Sequence, residues 1–128
     1  MKTLNFMKAF LVIVLAFFAN LTISAVTPDN NLIYNAEEVD GLKVAETVYK
    51  MDGGILTNYM KYSYKYDEKK QIIENVSQKW NSAKNEWVND LCIRYTYDNK
   101  SITTEYYKWN NKKKDFILVP EMTVTMDK

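Results

Sequence analysis

"YKYDEKKQIIENVSQKWNSAKNEW", residues 64–87, is followed from residue 95 by "YTYDNKSITTEYYKWNNKKKDF". Both stretches run in one order: paired tyrosines, a polar turn, a β-rich run, tryptophan and asparagine, a second polar turn, and another aromatic residue. A pattern that alternates residue by residue and breaks at Asp, Asn and Lys clusters is the signature of strands joined by tight turns. Working outward from it, six β-rich runs follow one another from Leu42. They are "LKVAETVYKM", "ILTNYMKYSYKY", "IIENVSQKW", "EWVNDLCIRYTY", "SITTEYYKW" and "FILVPEMTVTM". "DGG", "DEKKQ", "NSAKN", "DNK" and "NNKKKD" separate them. No window carries a 3.6-residue apolar period, so no helix is expected beyond the N-terminal leader described below. The fold class that follows is all-β: an antiparallel meander of about six strands in a curved or twisted single sheet, either open or partly closed as a barrel.

Turn lengths fix the register. A four-residue loop at 82–85 sets Trp80 opposite Trp87, and one at 111–114 sets Trp109 opposite Phe116. Directly opposed aromatic pairs contribute roughly 0.2–1 kcal/mol over an alanine pair. If "DEKKQ" is a five-residue loop and "DNK" a three-residue one, Tyr66, Ile72, Tyr97 and Trp109 share a face. An even loop would send Trp109 to the side opposite Tyr97, because side chains alternate with period two. The odd-loop reading collects Met60, Tyr62, Tyr64, Tyr66, Ile72, Val76, Trp80, Trp87, Leu91, Ile93, Tyr95, Tyr97, Tyr107, Trp109, Phe116 and Leu118 on one aromatic face. The other face is mostly Lys, Ser, Asn, Asp and Thr, with Ile73, Val88, Cys92 and Tyr106 as exceptions. Such a face needs a cover. Curling of the sheet together with the N-terminal segment, where Leu32, Ile33 and Tyr34 lie, is the first candidate, and dimerisation the second.

The N-terminus reads as an export leader. Lys2 and Lys8 form a basic start, "AFLVIVLAFF" at 9–18 is an uncharged core too short to span a membrane as a helix, and Ala25 is a small residue placed for cleavage. The organisation expected is a signal peptide at 1–25, an N-terminal extended segment at 26–41 and a β-meander domain at 42–128. Cleavage removes two of the 17 basic residues and none of the 16 acidic ones, moving the net charge from +1 to −1. Nucleic acid is not an expected partner of so neutral a chain. The lysine run at 112–114 reads as a solvated turn that guards the sheet against edge pairing. No membrane span is expected after cleavage. Cys92, the single cysteine, lies in an apolar run and reads as a small buried hydrophobe, so no intramolecular disulfide can form.

The segments "NLIYNAEE", "TVYKMDGGILTNYMKYSYKYD", "KWNSAKNEWV" and "ITTEYYKWNNKKKDF" closely resemble the small secreted Bacteroides-type proteins of domain-of-unknown-function family 3836. The similarity runs from about residue 31 to about residue 119. It implies a Gram-negative host and export to the periplasm or the extracellular space, and it carries over no catalytic residues. The "YxYD" turns are also similar to the tyrosine–aspartate repeats of large bacterial wrapping proteins, without the glycines of those repeats.

The chain lacks histidine altogether. This removes the commonest general base and metal ligand, and with them Ser-His and Cys-His nucleophile pairs. No glycine-rich phosphate loop occurs, since the repeats hold only the adjacent pair Gly53 and Gly54. Glu74 and Glu105 are the one carboxylate pair that neighbouring repeats bring near each other, as a glycoside hydrolase requires. Pairing of Arg94, the only arginine, with Glu105 is the plainer reading. Calcium at Asp67-Glu68 or Asp98-Asn99 lacks a spaced set of oxygen ligands. The reading is therefore no catalytic residues, no cofactor and no metal. The positive signal is aromatic: Trp80, Trp87, Trp109, Tyr64, Tyr66, Tyr95 and Tyr97 are the candidate ligand or partner contacts, set against the plainer reading of core. The expected function is a secreted, non-catalytic protein-interaction or self-association module, whose partner is another protein or a homo-oligomer. The alternative is a glycan-binding module that uses the aromatic residues of the sheet.

Overall fold

The structure is a computed structural model that describes the backbone of Leu21–Ile23 and residues 31–128 in full. The leader's basic start, apolar core and cleavage site lie outside the described residues; of the expected 1–25 leader only Leu21–Ile23 is described, as a short strand. Among those described, nine strands share one antiparallel sheet. They are β1 (Leu21–Ile23), β2 (Leu32–Val39), β3 (Leu42–Asp52), β4 (Ile55–Tyr66), β5 (Ile72–Asn81), β6 (Glu86–Tyr97), β7 (Ser101–Asn110), β8 (Asp115–Leu118) and β9 (Val124–Asp127). The spatial order is the chain order from β1 to β8, and β9 returns to pair with β7. This is the meander expected, with more strands than the six runs.

Two of the additional strands have clear local causes. The N-terminal segment does not lie across a face. It forms β2 and joins β3 through the two-residue turn Asp40-Gly41, where both residues have positive φ (51° and 77°). Gly53-Gly54 repeats this device between β3 and β4, as a primed two-residue hairpin demands. The last run divides because Pro120 has no N–H to give a ladder. A single 3₁₀ turn at Pro120–Met122 redirects the chain, so β8 and β9 pair with opposite halves of β7.

The sheet is open rather than a barrel. Apart from passing contacts, elements touch only their ladder neighbours, with the 3₁₀ turn against β7. Burial matches a single layer. The deeply buried apolar residues among those described are Ala36, Ala45, Val48 and Cys92, all small or medium in size. Cys92 is 1% exposed, and burial pushes its thiol pKa up, so it behaves as the packing residue the sequence suggests.

Register corrects the single aromatic face. Trp80 does face Trp87, Trp109 faces Phe116 and Tyr66 faces Ile72, as the four- and five-residue loops require. The "DNK" turn, however, behaves as an even loop, setting Tyr97 opposite Ile102. Two β-bulges then shift the alternation. Ile73 is the extra residue of β5 against β4, and Asp90 that of β6 against β5. The first turns Val76 and Trp80 to the face opposite Tyr64 and Tyr66. The second turns Leu91, Ile93, Tyr95 and Tyr97 back again. The outcome is a tyrosine face and a tryptophan face on opposite sides of one layer. Tyr106, opposite Ile93, belongs to the first, and Tyr107, opposite Cys92, to the second.

Candidate functional site

The two halves of the repeat mark the two ends of the sheet. At one end the "YxYD" segments make the turns. Asp67 Oδ1 accepts the N–H groups of Lys69 and Gln71, each at 2.9 Å, and Asp98 Oδ1 accepts that of Lys100 at 2.8 Å. That bond, with others from Ser101, holds the Asp98 carboxyl below the usual carboxylate range. The tyrosine before each aspartate has a second task. Neighbouring hairpins part near their turns: the β3–β4 ladder ends at Ala45 and Ser63, and the β5–β6 ladder at Glu74 and Arg94. Across the first parting, the Tyr66 hydroxyl donates to the Lys43 carbonyl at 2.7 Å. Across the second, the Tyr97 hydroxyl donates to the Ile72 carbonyl, again at 2.7 Å. A side chain thus supplies the bond that the ladder no longer makes.

Tyr64 and Tyr95 lie two residues further in, on the same face. Burial raises the pKa of both phenols, and that of Tyr62. Lys43 sits 5.3 Å from the centre of the Tyr64 ring and 3.1 Å from Glu46. An ion pair three residues apart on a strand is possible here because Val44 is a bulge residue against β2. This face continues to the last edge of the sheet, where Ile117, Val124 and Met126 are exposed, Met126 by 56%.

At the opposite end the "KWN" segments make the turns. Asn110 Oδ1 accepts the N–H groups of Lys112 and Lys113, and Asn81 Oδ1 that of Lys84. Asn85 and Lys114 close the two loops at φ 52°. Trp80 and Trp87 meet edge to face with ring centres 5.1 Å apart, and Trp109 meets Phe116 in the same way at 5.0 Å. The β6–β7 ladder ends at Leu91 and Lys108, whereas its neighbours run on to Asn81–Glu86 and Asn110–Asp115. The hairpins therefore part here too, next to the Asp90 bulge. The parting is a groove of about 430 Å³ with Trp87 on one wall and Trp109 on the other. Gln78, Asn81, Asn89 and Asn111 supply amides to it, and Lys84, Glu86, Lys114 and Val88 complete its lining.

The seven candidate aromatic residues therefore form two groups that cannot act on one ligand: Tyr64, Tyr66, Tyr95 and Tyr97 on one face, and Trp80, Trp87 and Trp109 on the other. The carboxylate pair is likewise separated. Arg94 stands between Glu74 and Glu105 in the register, which puts the two about 10 Å apart at two strand spacings. Glu74 takes Arg94 at 3.3 Å and Lys65 at 3.2 Å, and the guanidinium lies 4.5 Å over the Tyr107 ring. This is a cross-strand ion network rather than a pair of carboxylates facing a cleft. Among the described residues no group of His, Cys, Asp or Glu is clustered to hold a metal, and no helix is long and apolar enough to cross a membrane. Sequence reasoning missed the amides lining the groove. The "KWN" pattern signals only one of them, Asn81; Asn110, which follows Trp109, caps its turn instead, and Gln78, Asn89 and Asn111 carry no motif.

A model of a family of unknown function, DUF3836, matches residues 1–127. No curated protein matches the chain. Three solved structures are similar. A DUF3836 family protein from Bacteroides vulgatus is 70% identical, with a TM-score of 0.74, over 77% of this chain and all of the other. One from Parabacteroides distasonis is 28% identical, with a TM-score of 0.65, over 77% of this chain and 90% of the other. A Bacteroides fragilis protein of unknown function is 28% identical, with a TM-score of 0.63, over 70% and 67% respectively.

Proposed function

We propose that this chain, which belongs to the DUF3836 family, is an exported, non-catalytic module that associates with protein through its tyrosine face, a second copy being the simplest occupant. One observation carries the reading: the sheet is a single open layer whose tyrosine face, from Tyr34 to Met126, has no second layer over it among the described residues. A sheet with an apolar face is stable when that face packs on something. The Leu91, Ile93, Tyr62 and Tyr64 side chains there are only half-buried. A partner that covers them removes apolar surface from water, at roughly 25 cal/mol per Å². Tyrosine suits such an interface because it brings apolar area and a polar tip. The ion network around Arg94 supports the non-catalytic part, and the leader-like N-terminus supports export to the periplasm or beyond.

The test is the mass in solution of the mature chain, residues 26–128, by light scattering over a range of concentrations. A dimer that Val124→Lys plus Met126→Lys splits into folded monomers is expected. Those two residues sit on the last strand, 47% and 56% exposed, so their replacement should spare the fold. A chain that stays monomeric up to millimolar concentration, and that captures no protein from its own periplasmic fraction, would overturn the reading.

A further inference from the structure

The groove between Trp87 and Trp109 is on the other face, and its chemistry is different. We propose that it binds an oligosaccharide. Three features converge. First, the groove exists because the β6–β7 ladder stops at Leu91 and Lys108 while the flanking hairpins continue, so it belongs to the fold and is not an accident of side-chain packing. Its volume of about 430 Å³ lies within the range of small-molecule sites, roughly 300–1,000 Å³.

Second, the two indoles stand on separate hairpin arms, and each is already fixed. Trp87 packs edge to face on Trp80, and Trp109 on Phe116. The Trp109 Nε1–H also donates to Asn111 Oδ1 at 2.9 Å. Rigid rings lose little entropy when a ligand stacks on them. Sugar rings present apolar C–H faces that suit this contact.

Third, four of the seven polar side chains in the lining are amides, Gln78, Asn81, Asn89 and Asn111. Gln78 Nε2 donates to Asn89 Oδ1 at 2.9 Å, which leaves Gln78 an acceptor oxygen and Asn89 a donor nitrogen for other partners. Amides that can both donate and accept suit sugar hydroxyls, each able to give and take. A nucleic acid would require a run of cations, and here only Lys84 and Lys114 are cationic, with Glu86 in the same lining. An extended apolar peptide would require a series of apolar pockets, and besides the two indoles the lining offers one aliphatic side chain, Val88, against four amides.

The experiment titrates the mature chain, residues 26–128, with soluble cello-, xylo-, manno- and chitohexaose, following tryptophan emission and the heat of binding. At least one is expected to bind saturably. Trp87→Ala and Trp109→Ala should each weaken it about tenfold, in keeping with the loss of one stacked aromatic contact. Trp80→Phe, which keeps an aromatic support behind Trp87, should change affinity less than twofold. Should an alanine variant fail to fold, Gln78→Ala and Asn89→Ala remove the amides and leave the indoles; each should weaken binding severalfold. Absence of saturable binding to all four sugars overturns the proposal, as does binding that survives the Trp87 and Trp109 substitutions. Saturable binding of an unstructured peptide in their place would assign the groove to protein instead. The dimer test on the tyrosine face is independent, so either proposal can fail alone.

Discussion

The two ends of the sheet solve one problem in different ways. At both, neighbouring hairpins part where their ladders run out. At the tyrosine–aspartate end each parting described is crossed by a phenol hydroxyl on a backbone carbonyl, Tyr66 on Lys43 and Tyr97 on Ile72. At the tryptophan–asparagine end the β6–β7 parting is walled by indoles that are already paired with other rings. The first arrangement commits its side chains to holding hairpins together. The second holds its side chains in place and leaves the space between them. A repeat of about thirty residues thus builds a clamp at one end and a groove at the other, and stability and binding should separate along the sheet.

The sharpest way to break this comparison is to remove the clamps. Tyr66→Phe with Tyr97→Phe deletes both hydroxyls and keeps both rings. At roughly 1 kcal/mol net per hydrogen bond, the double variant should lose about 2 kcal/mol in urea unfolding. Sugar titration of the groove should be unchanged. A loss under about 0.5 kcal/mol would show that the phenols are ornaments on an already stable ladder.

Next in size are the asparagine turns, where two equivalent positions differ in a countable way. Asn110 accepts two backbone N–H groups, at 3.0 and 2.9 Å, while Asn81 accepts one at 3.2 Å. Asn110→Ala should therefore cost about 1 kcal/mol and Asn81→Ala about half of that, since such local bonds are what Asn contributes to a turn. Equal losses would mean that the distances carry no energetic meaning here.

Much of this was legible beforehand, and the part that was not has a physical cause. Loop length gives cross-strand partners directly, so the Trp80–Trp87 and Trp109–Phe116 pairs follow from four residues between strands. Faces are another matter. A bulge adds one residue to one strand, and nothing distinguishes Ile73 or Asp90 from ordinary strand residues in a one-dimensional pattern. The first turns Trp80 and Trp87 away from the tyrosines and the second restores the alternation, while Trp109 lies opposite because the turn between Tyr97 and Ile102 has an even number of residues. The β2 strand, "LIYNAEEV", lacks a clean apolar alternation, since "NAEE" interrupts it and a bulge lies at Glu37/Glu38. Its Asp40-Gly41 turn was the available clue. The groove depends on where a ladder stops, a property of pairing between hairpins that neither hairpin encodes alone.

A smaller effect compares the closing residues of the two four-residue loops. Asn85 and Lys114 share a φ of 52°. Asparagine visits the left-handed region readily, whereas lysine there bears the cost of its Cβ, roughly 1–2 kcal/mol. Glycine relieves that cost and loses about 0.5–1 kcal/mol to its freedom in the unfolded chain. Lys114→Gly should accordingly stabilise by about 0.5 kcal/mol, and Asn85→Gly should change nothing measurable. A gain at Asn85 as large as at Lys114 would refute this ordering.

The smallest effect belongs to Asp98, at the clamp end, and shows as a pH dependence rather than a magnitude. Its folded pKa lies below the ordinary value, chiefly because the Lys100 N–H donates to the carboxylate. A depressed acid adds stability that is fully present above its unfolded pKa, about 3.9, and is lost as pH falls through the lower folded value. The side chain is solvent-exposed, so screening keeps the contribution small. Asp98→Asn preserves an oxygen that can accept the same N–H and removes the titration. Below about pH 4 the variant should resist acid slightly better relative to its own neutral-pH stability than the parent does. The check is thermal unfolding from pH 2 to 7 for the two proteins. Parallel curves would mean that the Lys100 bond orders the turn without being coupled to the stability of the sheet, and the clamp would then rest on its tyrosines alone.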